Sequence, residues 1–176
     1  PTSLTVTSDK GEEKLTAKHV IVATGARARD LPFAPADGQR IWTYRHAMTP
    51  PEMPGKLLVI GSGAIGIEFA SFYNDMGAEV TLVEMLDRIV PVEDAEVSSF
   101  LEKALTKQGM TIMTGAGVED LKATASGVKA RIKDKAGKVS EQDFSHCIVA
   151  IGIVPNTENI GLKPLVDLDR GFIQID

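Results

Sequence analysis

The feature that most constrains the fold is a glycine-rich turn between a short apolar run and the start of a helical pattern. Residues 57–60 are all apolar, and Gly61, Gly63 and Gly66 follow with the spacing G-x-G-x-x-G. Such a run is typical of a strand buried on both faces of a parallel sheet. In order, the three glycines suit a tight turn, the close approach of a pyrophosphate, and close packing of a helix on a strand.

An acidic residue at the end of the next strand strengthens this interpretation. Residues 79–83 predict a strand, and Glu84 follows it directly. A carboxylate at this point accepts hydrogen bonds from the adenosine ribose of NAD, and the N-terminus of the helix at Ala64 attracts phosphate. An unrelated α/β protein with a glycine-rich turn is the alternative, and it accounts for fewer of these features. The residues expected to hold the pyrophosphate are Gly61, Ser62, Gly63, Ala64, Ile65 and Gly66.

The rest of the core alternates strand and helix patterns. Helical patterns at 64–76 and 95–107 precede apolar runs at 79–83 and 110–113, which predicts a β-α-β-α-β order with right-handed crossovers. The first helix is expected to bury a stripe of Ile65, Phe69, Phe72 and Tyr73, and the second a stripe of Val97, Leu101, Ala104 and Leu105.

A change of pattern after the third strand predicts an insertion. Short alternating runs between residues 116 and 144 predict a three-stranded antiparallel β-meander in place of a crossover helix, and residues 146–152 then predict a further strand. The predicted fold class is therefore α/β, a Rossmann-like parallel sheet with this inserted meander, flanked by strands of another domain.

The segments before this core are less regular. Residues 4–16 predict a hairpin, and residues 19–26 predict an apolar strand that ends in small residues. Residues 27–55 are rich in proline and predict a long connection with one helical turn near 44–48. Packing of this connection against the domain is the preferred interpretation of Trp42.

Composition excludes several classes of function. The net charge is -5 and there is no basic run, which argues against nucleic acid as a partner. The sequence has no apolar stretch as long as a membrane span, so no membrane insertion is expected. The single cysteine, Cys147, rules out an internal disulfide and fits a reducing compartment, which favours the cytoplasm. No metal site is expected.

Taken in order, the motifs resemble those of the FAD-dependent pyridine nucleotide–disulfide oxidoreductases. The resemblance covers essentially the whole chain and is carried by residues 22–26, 61–68, Glu84 and 149–156. Residues 86–91 and 108–110 look most like the bacterial branch that oxidises dihydrolipoyl groups in 2-oxoacid dehydrogenase complexes. Glu84 favours NAD, because a carboxylate would repel the 2′-phosphate of NADP.

The resemblance implies that the chain is the NAD-binding domain of a longer flavoprotein. Residues 1–29 would be a segment of the FAD domain with a hairpin and a strand, residues 30–152 the NAD-binding domain, and residues 153–176 the start of the return to the FAD domain. The family's redox-active cysteine pair and its His–Glu pair do not occur in this sequence. No catalytic residue is therefore expected, and the chain alone is expected to be inactive.

The resemblance also assigns roles to residues outside the glycine turn. It places Val118 against the adenine, Gly152 at the nicotinamide half, and Glu68 as a carboxylate near the nicotinamide. It brings the small residues of the N-terminal segment to FAD, which is expected only in the full-length enzyme: Thr24, Gly25 and Ala26.

The complete enzyme is expected to oxidise dihydrolipoyl groups through a disulfide and FAD and to pass hydride to NAD. It would act as a homodimer within 2-oxoacid dehydrogenase complexes. The alternatives are an NAD(P)H-dependent flavin disulfide reductase or an NADH oxidase of the same architecture, and a non-catalytic NAD-sensing module. Residues 1–25 and 153–176 would leave strand edges exposed. These segments are expected to pair with each other, to pair with a second copy of the chain so that it self-associates, or to stay disordered.

Overall fold

The computed structural model describes residues 3–175, which form two compact units. One unit comprises residues 27–154, and the other comprises the described residues up to 26 and from 155 onward. Pro1, Thr2 and Asp176, at the ends of the expected outer segments, lie outside the described residues. The assignment of those outer segments to an FAD domain stays a prediction.

The elements follow the predicted order through the core. The helices are α1 Tyr44–Met48, α2 Ala64–Asp75 and α3 Ala95–Lys107. The strands are β1 Ser3–Ser8, β2 Gly11–Thr16, β3 Ala26–Ala28, β4 Ile41–Trp42, β5 Lys56–Ile60, β6 Glu79–Glu84, β7 Thr111–Thr114, β8 Gly117–Thr124, β9 Gly127–Lys133, β10 Val139–Phe144, β11 His146–Val149, β12 Ile153–Pro155, β13 Leu168–Asp169 and β14 Phe172–Ile173.

The larger unit is built on a five-stranded parallel sheet with the order β4-β11-β5-β6-β7. The helices α2 and α3 connect β5 to β6 and β6 to β7, while β8, β9 and β10 form an antiparallel meander. The Rossmann-like sheet and the inserted meander are therefore confirmed, as are the helical turn of α1 and the boundaries of α3.

The sheet is covered on both faces, which explains the continuous apolar run of β5. Leu57 and Val59 pack into the cluster that contains α2, with Ile67 and Tyr73. The alternate residues of β5 pack into a second cluster with the meander, including Ile132. Because successive side chains of a strand point to opposite faces, both sets must be apolar here.

The buried stripe of α2 differs from the prediction. Its buried residues are Gly66, Ile67, Ala70 and Tyr73, whereas Phe72 is 53% exposed. Tyr73 is therefore buried as predicted, and Phe69 is partly buried against the same cluster. The buried face is centred on residues 66, 67, 70 and 73, because α2 meets the sheet most closely at Gly66. In α3, Leu105 is buried and Leu101 packs on the core as predicted, whereas Val97 is exposed and Ser98 is buried in its place.

The predicted strand at residues 19–26 is wrong for all but its last residue. No described strand pairs with residues 19–25, and the ladder begins only at Ala26. Ile21 is 91% exposed. A β-strand exists through hydrogen bonds to a neighbour, so an apolar run without one among the described residues forms no strand. The hairpin of β1 and β2 is present as predicted.

Among the described residues, no helix combines the length and the apolar character that crossing a membrane requires.

A polar cluster fastens the proline-rich connection to the edge of the sheet. The Arg40 guanidinium lies 2.6 Å from Glu52 Oε1 and 3.1 Å from Nε2 of the buried His146 at the start of β11. Nε2 also lies 3.3 Å from Glu52 Oε1, and Nδ1 lies 3.3 Å from Ser145 Oγ. Trp42 packs on the imidazole and is fully buried, which confirms its structural role.

This cluster favours neutral His146. Burial lowers the pKa of His146, the Arg40 cation lowers it further, and the carboxylates of Glu52 and Asp37 oppose the change. The folded chain therefore binds a proton at His146 less readily than the unfolded chain does. Neutral His146 makes its full contribution to the free energy of unfolding above the ordinary histidine pKa of about 6.5. That contribution is lost as the pH falls from there through the lower pKa of the folded chain.

We therefore expect the unfolding temperature to decrease between about pH 7 and pH 5, by about 2–4 °C for each kcal/mol lost. His146→Gln should make that pH dependence shallower, whatever its effect on stability at neutral pH. His19→Gln, at an exposed histidine, is the matched control and should leave the slope unchanged. Thermal unfolding followed by circular dichroism tests this, and equal slopes for His146→Gln and the parent chain would contradict it.

Candidate functional site

A cleft of about 850 Å³ lies at the carboxyl ends of the parallel strands of the larger unit. This is the edge at which open α/β sheets bind their ligands. Of the residues predicted as a site, the cleft is lined by Gly61, Ser62, Gly63, Ala64, Ile65, Glu84, Val118 and Gly152.

Two of the three glycines of the turn are required by the fold itself. Gly61 has φ +96, and a Cβ placed on it would lie 2.5 Å from the carbonyl oxygen of Ala150. A Cβ on Gly66 would overlap the carbonyl oxygen of Gly61. The turn, helix α2 and the end of β11 therefore touch through their backbones, and no other residue fits at either position.

Gly63 differs from its two neighbours in the motif. It is the N-cap of α2 with φ -66 and ψ 178, a conformation that any L-residue adopts, and a Cβ there would have no heavy atom within 4 Å. Neither backbone conformation nor packing within the chain requires glycine at this position. Since Gly63 lines the cleft, the space above it is available to a ligand.

The start of α2 is suited to an anion. Its first turn contains no acidic residue, and its N-cap has no side chain to accept from the N–H groups there. Unsatisfied N–H groups and the positive end of the helix dipole attract phosphate.

Glu84 lies at the end of β6 on the cleft wall and is only 8% exposed. Its Oε2 accepts from the backbone N–H of Ser62 at 2.8 Å and from the Ser62 hydroxyl at 2.6 Å. Its Oε1 accepts from the backbone N–H of Leu86 at 2.9 Å. These bonds hold the carboxylate in one orientation at the cleft.

The remaining predicted residues are placed differently. Gly66 is buried behind the turn, and Glu68 is exposed on α2; neither lines the cleft. Thr24, Gly25 and Ala26 belong to the other unit. There the backbone N–H of Asn156 donates to the Gly25 carbonyl and the Asn156 amide donates to the Thr24 carbonyl.

Several residues of the cleft wall are absent from the site predicted by the motifs. Arg29 lines the cleft, as do the exposed side chains of Met85 and Val92. The last two lie in the loop that follows β6, and loops at the carboxyl ends of parallel strands surround the ligand in such folds. That topological rule would have identified them.

Few of the side chains that line the cleft are ionisable. Its described lining contains one acidic and one basic side chain, Glu84 and Arg29, and neither cysteine nor histidine. Cys147 is fully buried within the core, and burial raises the pKa of its thiol well above the ordinary value. A thiol that stays protonated is a poor nucleophile.

Comparison with known proteins gives a consistent result. The family model described as Pyridine nucleotide-disulphide oxidoreductase matches residues 2–176. Dihydrolipoyl dehydrogenase of Zymomonas mobilis is 58% identical over 173 residues, which cover 97% of this chain and 37% of that protein. Dihydrolipoyl dehydrogenase of Rhizobium etli is 48% identical over 168 residues, covering 95% of this chain and 35% of that protein. The chain thus spans little more than a third of these curated relatives.

Solved structures share the fold. The crystal structure of LpdA from Mycobacterium tuberculosis is 36% identical with a TM-score of 0.80, covering 95% of this chain and 36% of that one. An NAD-dependent persulfide reductase from A. fulgidus is 29% identical with a TM-score of 0.78, covering 96% of this chain and 32% of that one. The family resemblance inferred from the motifs is confirmed.

The glycine geometry predicts opposite results at two neighbouring positions. Gly66→Ala should destabilise the chain by about 3 kcal/mol, because overlap with the Gly61 carbonyl outweighs the roughly 1 kcal/mol that alanine adds to a helix. Gly63→Ser should preserve stability, because serine is a preferred N-cap residue in this conformation. Urea unfolding of both variants tests the prediction, and an unchanged midpoint for Gly66→Ala would contradict it.

Proposed function

Since this chain belongs to the pyridine nucleotide-disulphide oxidoreductase family, we propose that its larger unit binds NAD(H) in the cleft. The pyrophosphate lies on the turn at residues 61–66, the adenosine ribose meets Glu84, and the nicotinamide half extends toward Gly152. Val118 packs on the adenine side. These roles extend the expectations from the motifs to residues that share one cleft.

The observation that carries the proposal is the open space above Gly63. The fold explains Gly61 and Gly66 through contacts within the chain, whereas at Gly63 a side chain would meet no protein atom. A pyrophosphate on the helix N-terminus accounts for the missing side chain, because its oxygens need direct access to the backbone N–H groups.

Glu84 supports NAD as the nucleotide. Its carboxylate is buried on the cleft wall, and the phosphate of NADP would place a second anion beside it. Arg29 is the basic side chain among the described lining residues.

The remaining family assignments belong to the same proposal. Residues 30–152 form the NAD-binding domain, while residues 1–29 and 153–176 belong to the FAD domain, in which Thr24, Gly25 and Ala26 contact FAD in the full-length enzyme. Glu68 stands near the nicotinamide there. In this chain alone Glu68 is exposed, and the proposal for it rests on the motif.

We propose that the complete protein is a dihydrolipoamide dehydrogenase, the E3 component of 2-oxoacid dehydrogenase complexes. The two dihydrolipoyl dehydrogenases at 58% and 48% identity support this assignment. The complete enzyme would transfer electrons from dihydrolipoyl groups through a disulfide and FAD to NAD, as a cytoplasmic homodimer. The cofactors supply the redox chemistry, and this domain binds and orients the nicotinamide.

The chain alone is proposed to bind NAD(H) without turnover, since its sequence contains a single cysteine and no redox-active pair. Self-association through the strand edges of the outer segments is part of the same proposal. A flavin-dependent reductase acting on another sulfur substrate is the second candidate, supported by the similarity to the persulfide reductase.

The nucleotide site is tested by blocking the space above Gly63. Gly63→Ser should bind NADH at least about tenfold more weakly in titration calorimetry, because the added side chain occupies the position of the pyrophosphate. Its thermal stability should equal that of the parent chain, because serine is a preferred N-cap residue. Undiminished NADH affinity in Gly63→Ser would contradict the proposed site.

The nucleotide preference is tested at Glu84. The parent chain should bind NADH more tightly than NADPH. Glu84→Gln should weaken NADH binding by about tenfold, which corresponds to the free energy of a hydrogen bond to a charged acceptor. It should also reduce the difference in affinity between NADH and NADPH. Glu79→Gln removes a carboxylate from the opposite end of the same strand and should change neither affinity. If Glu84→Gln and Glu79→Gln behave alike, Glu84 is not the ribose ligand.

A further inference from the structure

The rim of the cleft next to Glu84 is apolar and exposed. Met85 is 79% exposed and lines the cleft together with Leu86, Pro91 and the exposed Val92. Apolar side chains exposed to this extent gain free energy when another surface covers them. A nucleotide that binds in the cleft therefore covers part of this rim.

The backbone fixes Met85 at the rim. On one side of it, the Glu84 carbonyl accepts from the N–H of Ala116 at 2.9 Å. On the other side, the N–H of Leu86 donates to Glu84 Oε1 at 2.9 Å, and the Leu86 carbonyl accepts from the N–H of Gly115 at 2.7 Å. Because both neighbours are hydrogen-bonded, the thioether of Met85 stays close to the cleft.

The far end of the same loop is fixed as well. Ile89 is fully buried, and the N–H of Val90 donates to the Ser62 carbonyl at 3.0 Å. Val90 has φ +37, a conformation that a β-branched residue rarely adopts. The loop at residues 85–92 therefore presents its apolar side chains from an anchored backbone.

Met85 is the one methionine among the described lining residues of the cleft. The chain has six methionines, and the other five are either exposed outside the cleft lining or packed against the core: Met48, Met53 and Met76 are exposed, and Met110 and Met113 are packed. A thioether that is both exposed and part of the cleft wall is accessible to an oxidant in solution.

We propose that Met85 is an oxidation-sensitive site at which hydrogen peroxide lowers the affinity of the cleft for NAD(H). This inference rests on the proposed function, because the affinity concerned is that of the same cleft. A sulfur lone pair attacks one peroxide oxygen, an S–O bond forms, and the O–O bond breaks. The proton of the transferred oxygen moves to the departing oxygen, which leaves as water. Sulfur loses two electrons, and methionine sulfoxide reductases return the product to the thioether.

Oxidation changes this part of the rim from apolar to polar. A sulfoxide oxygen binds water, and covering it with a nucleotide costs free energy unless a donor replaces that water. The Glu84 carboxylate on the same wall is an acceptor and supplies no donor. By the same coupling, a bound nucleotide covers the thioether and should protect it from peroxide.

The first experiment measures NADH affinity by titration calorimetry before and after treatment of the whole chain with peroxide. The parent chain should bind NADH at least about fivefold more weakly after oxidation. Met85→Leu, whatever its initial affinity, should have the same affinity before and after treatment. Met76→Leu, which removes an exposed methionine outside the cleft lining, is the matched control and should lose affinity as the parent chain does. Methionine sulfoxide reductases should restore the affinity of the parent chain.

The second experiment measures oxidation at each methionine by peptide mass spectrometry. Saturating NAD should slow sulfoxide formation at Met85 by at least about threefold, because the nucleotide covers the rim. Oxidation of Met76 should keep its rate.

Three results would overturn the proposal: an unchanged NADH affinity after complete oxidation of Met85, an equal loss of affinity in Met85→Leu, or no protection of Met85 by NAD. In each of these cases the untreated chain still binds NADH. Failure of the proposed function would differ, because the untreated chain would then bind no NADH at all, and this inference would be refuted with it.

Discussion

The close backbone contact among the glycine turn, helix α2 and the end of β11 is the constraint on which the larger unit depends. The space that would hold a Cβ on Gly66 is filled by the Gly61 carbonyl, and that on Gly61 by the Ala150 carbonyl. This contact draws the start of α2 up to the carboxyl edge of the sheet, where its N–H groups face the cleft. It also explains why α2 buries Ala70 and leaves Phe72 exposed.

The same contact separates two glycines that the fold requires from one that it does not require. A side chain on Gly61 or Gly66 would clash with backbone atoms of the chain, whereas a side chain on Gly63 would contact none of the described atoms. Ser62, between them, connects the turn to Glu84 and to Val90. The turn thus shapes the start of α2 and holds the Glu84 carboxylate in one orientation on the cleft wall, where we propose that phosphate and ribose bind.

Much of this arrangement was predictable from the sequence, because the strongest patterns reflect local physics. The apolar run of β5, the glycine spacing and Glu84 located the cleft, and the helical pattern at residues 95–107 located α3. The strand predicted at residues 19–25 is absent, because a strand needs a hydrogen-bonded neighbour and the apolar pattern of a sequence does not show whether one is present. The predicted stripe of α2 was right at Tyr73 and wrong at Phe72, because the close contact at Gly66 sets which face of the helix meets the sheet. The bonds of Ser62 and the left-handed Val90 are tertiary features without a sequence signature.

In the proposed complex, NADH occupies the space above Gly63 and extends along the wall formed by Glu84. Amide chemical-shift mapping on the isotope-labelled chain with NADH tests this most directly. The largest changes should fall on residues 61–66 and 84–86, with little change on the outer face of α3 at residues 99–107. Changes confined to that outer face, or the absence of any saturable change, would contradict binding of NADH in this cleft.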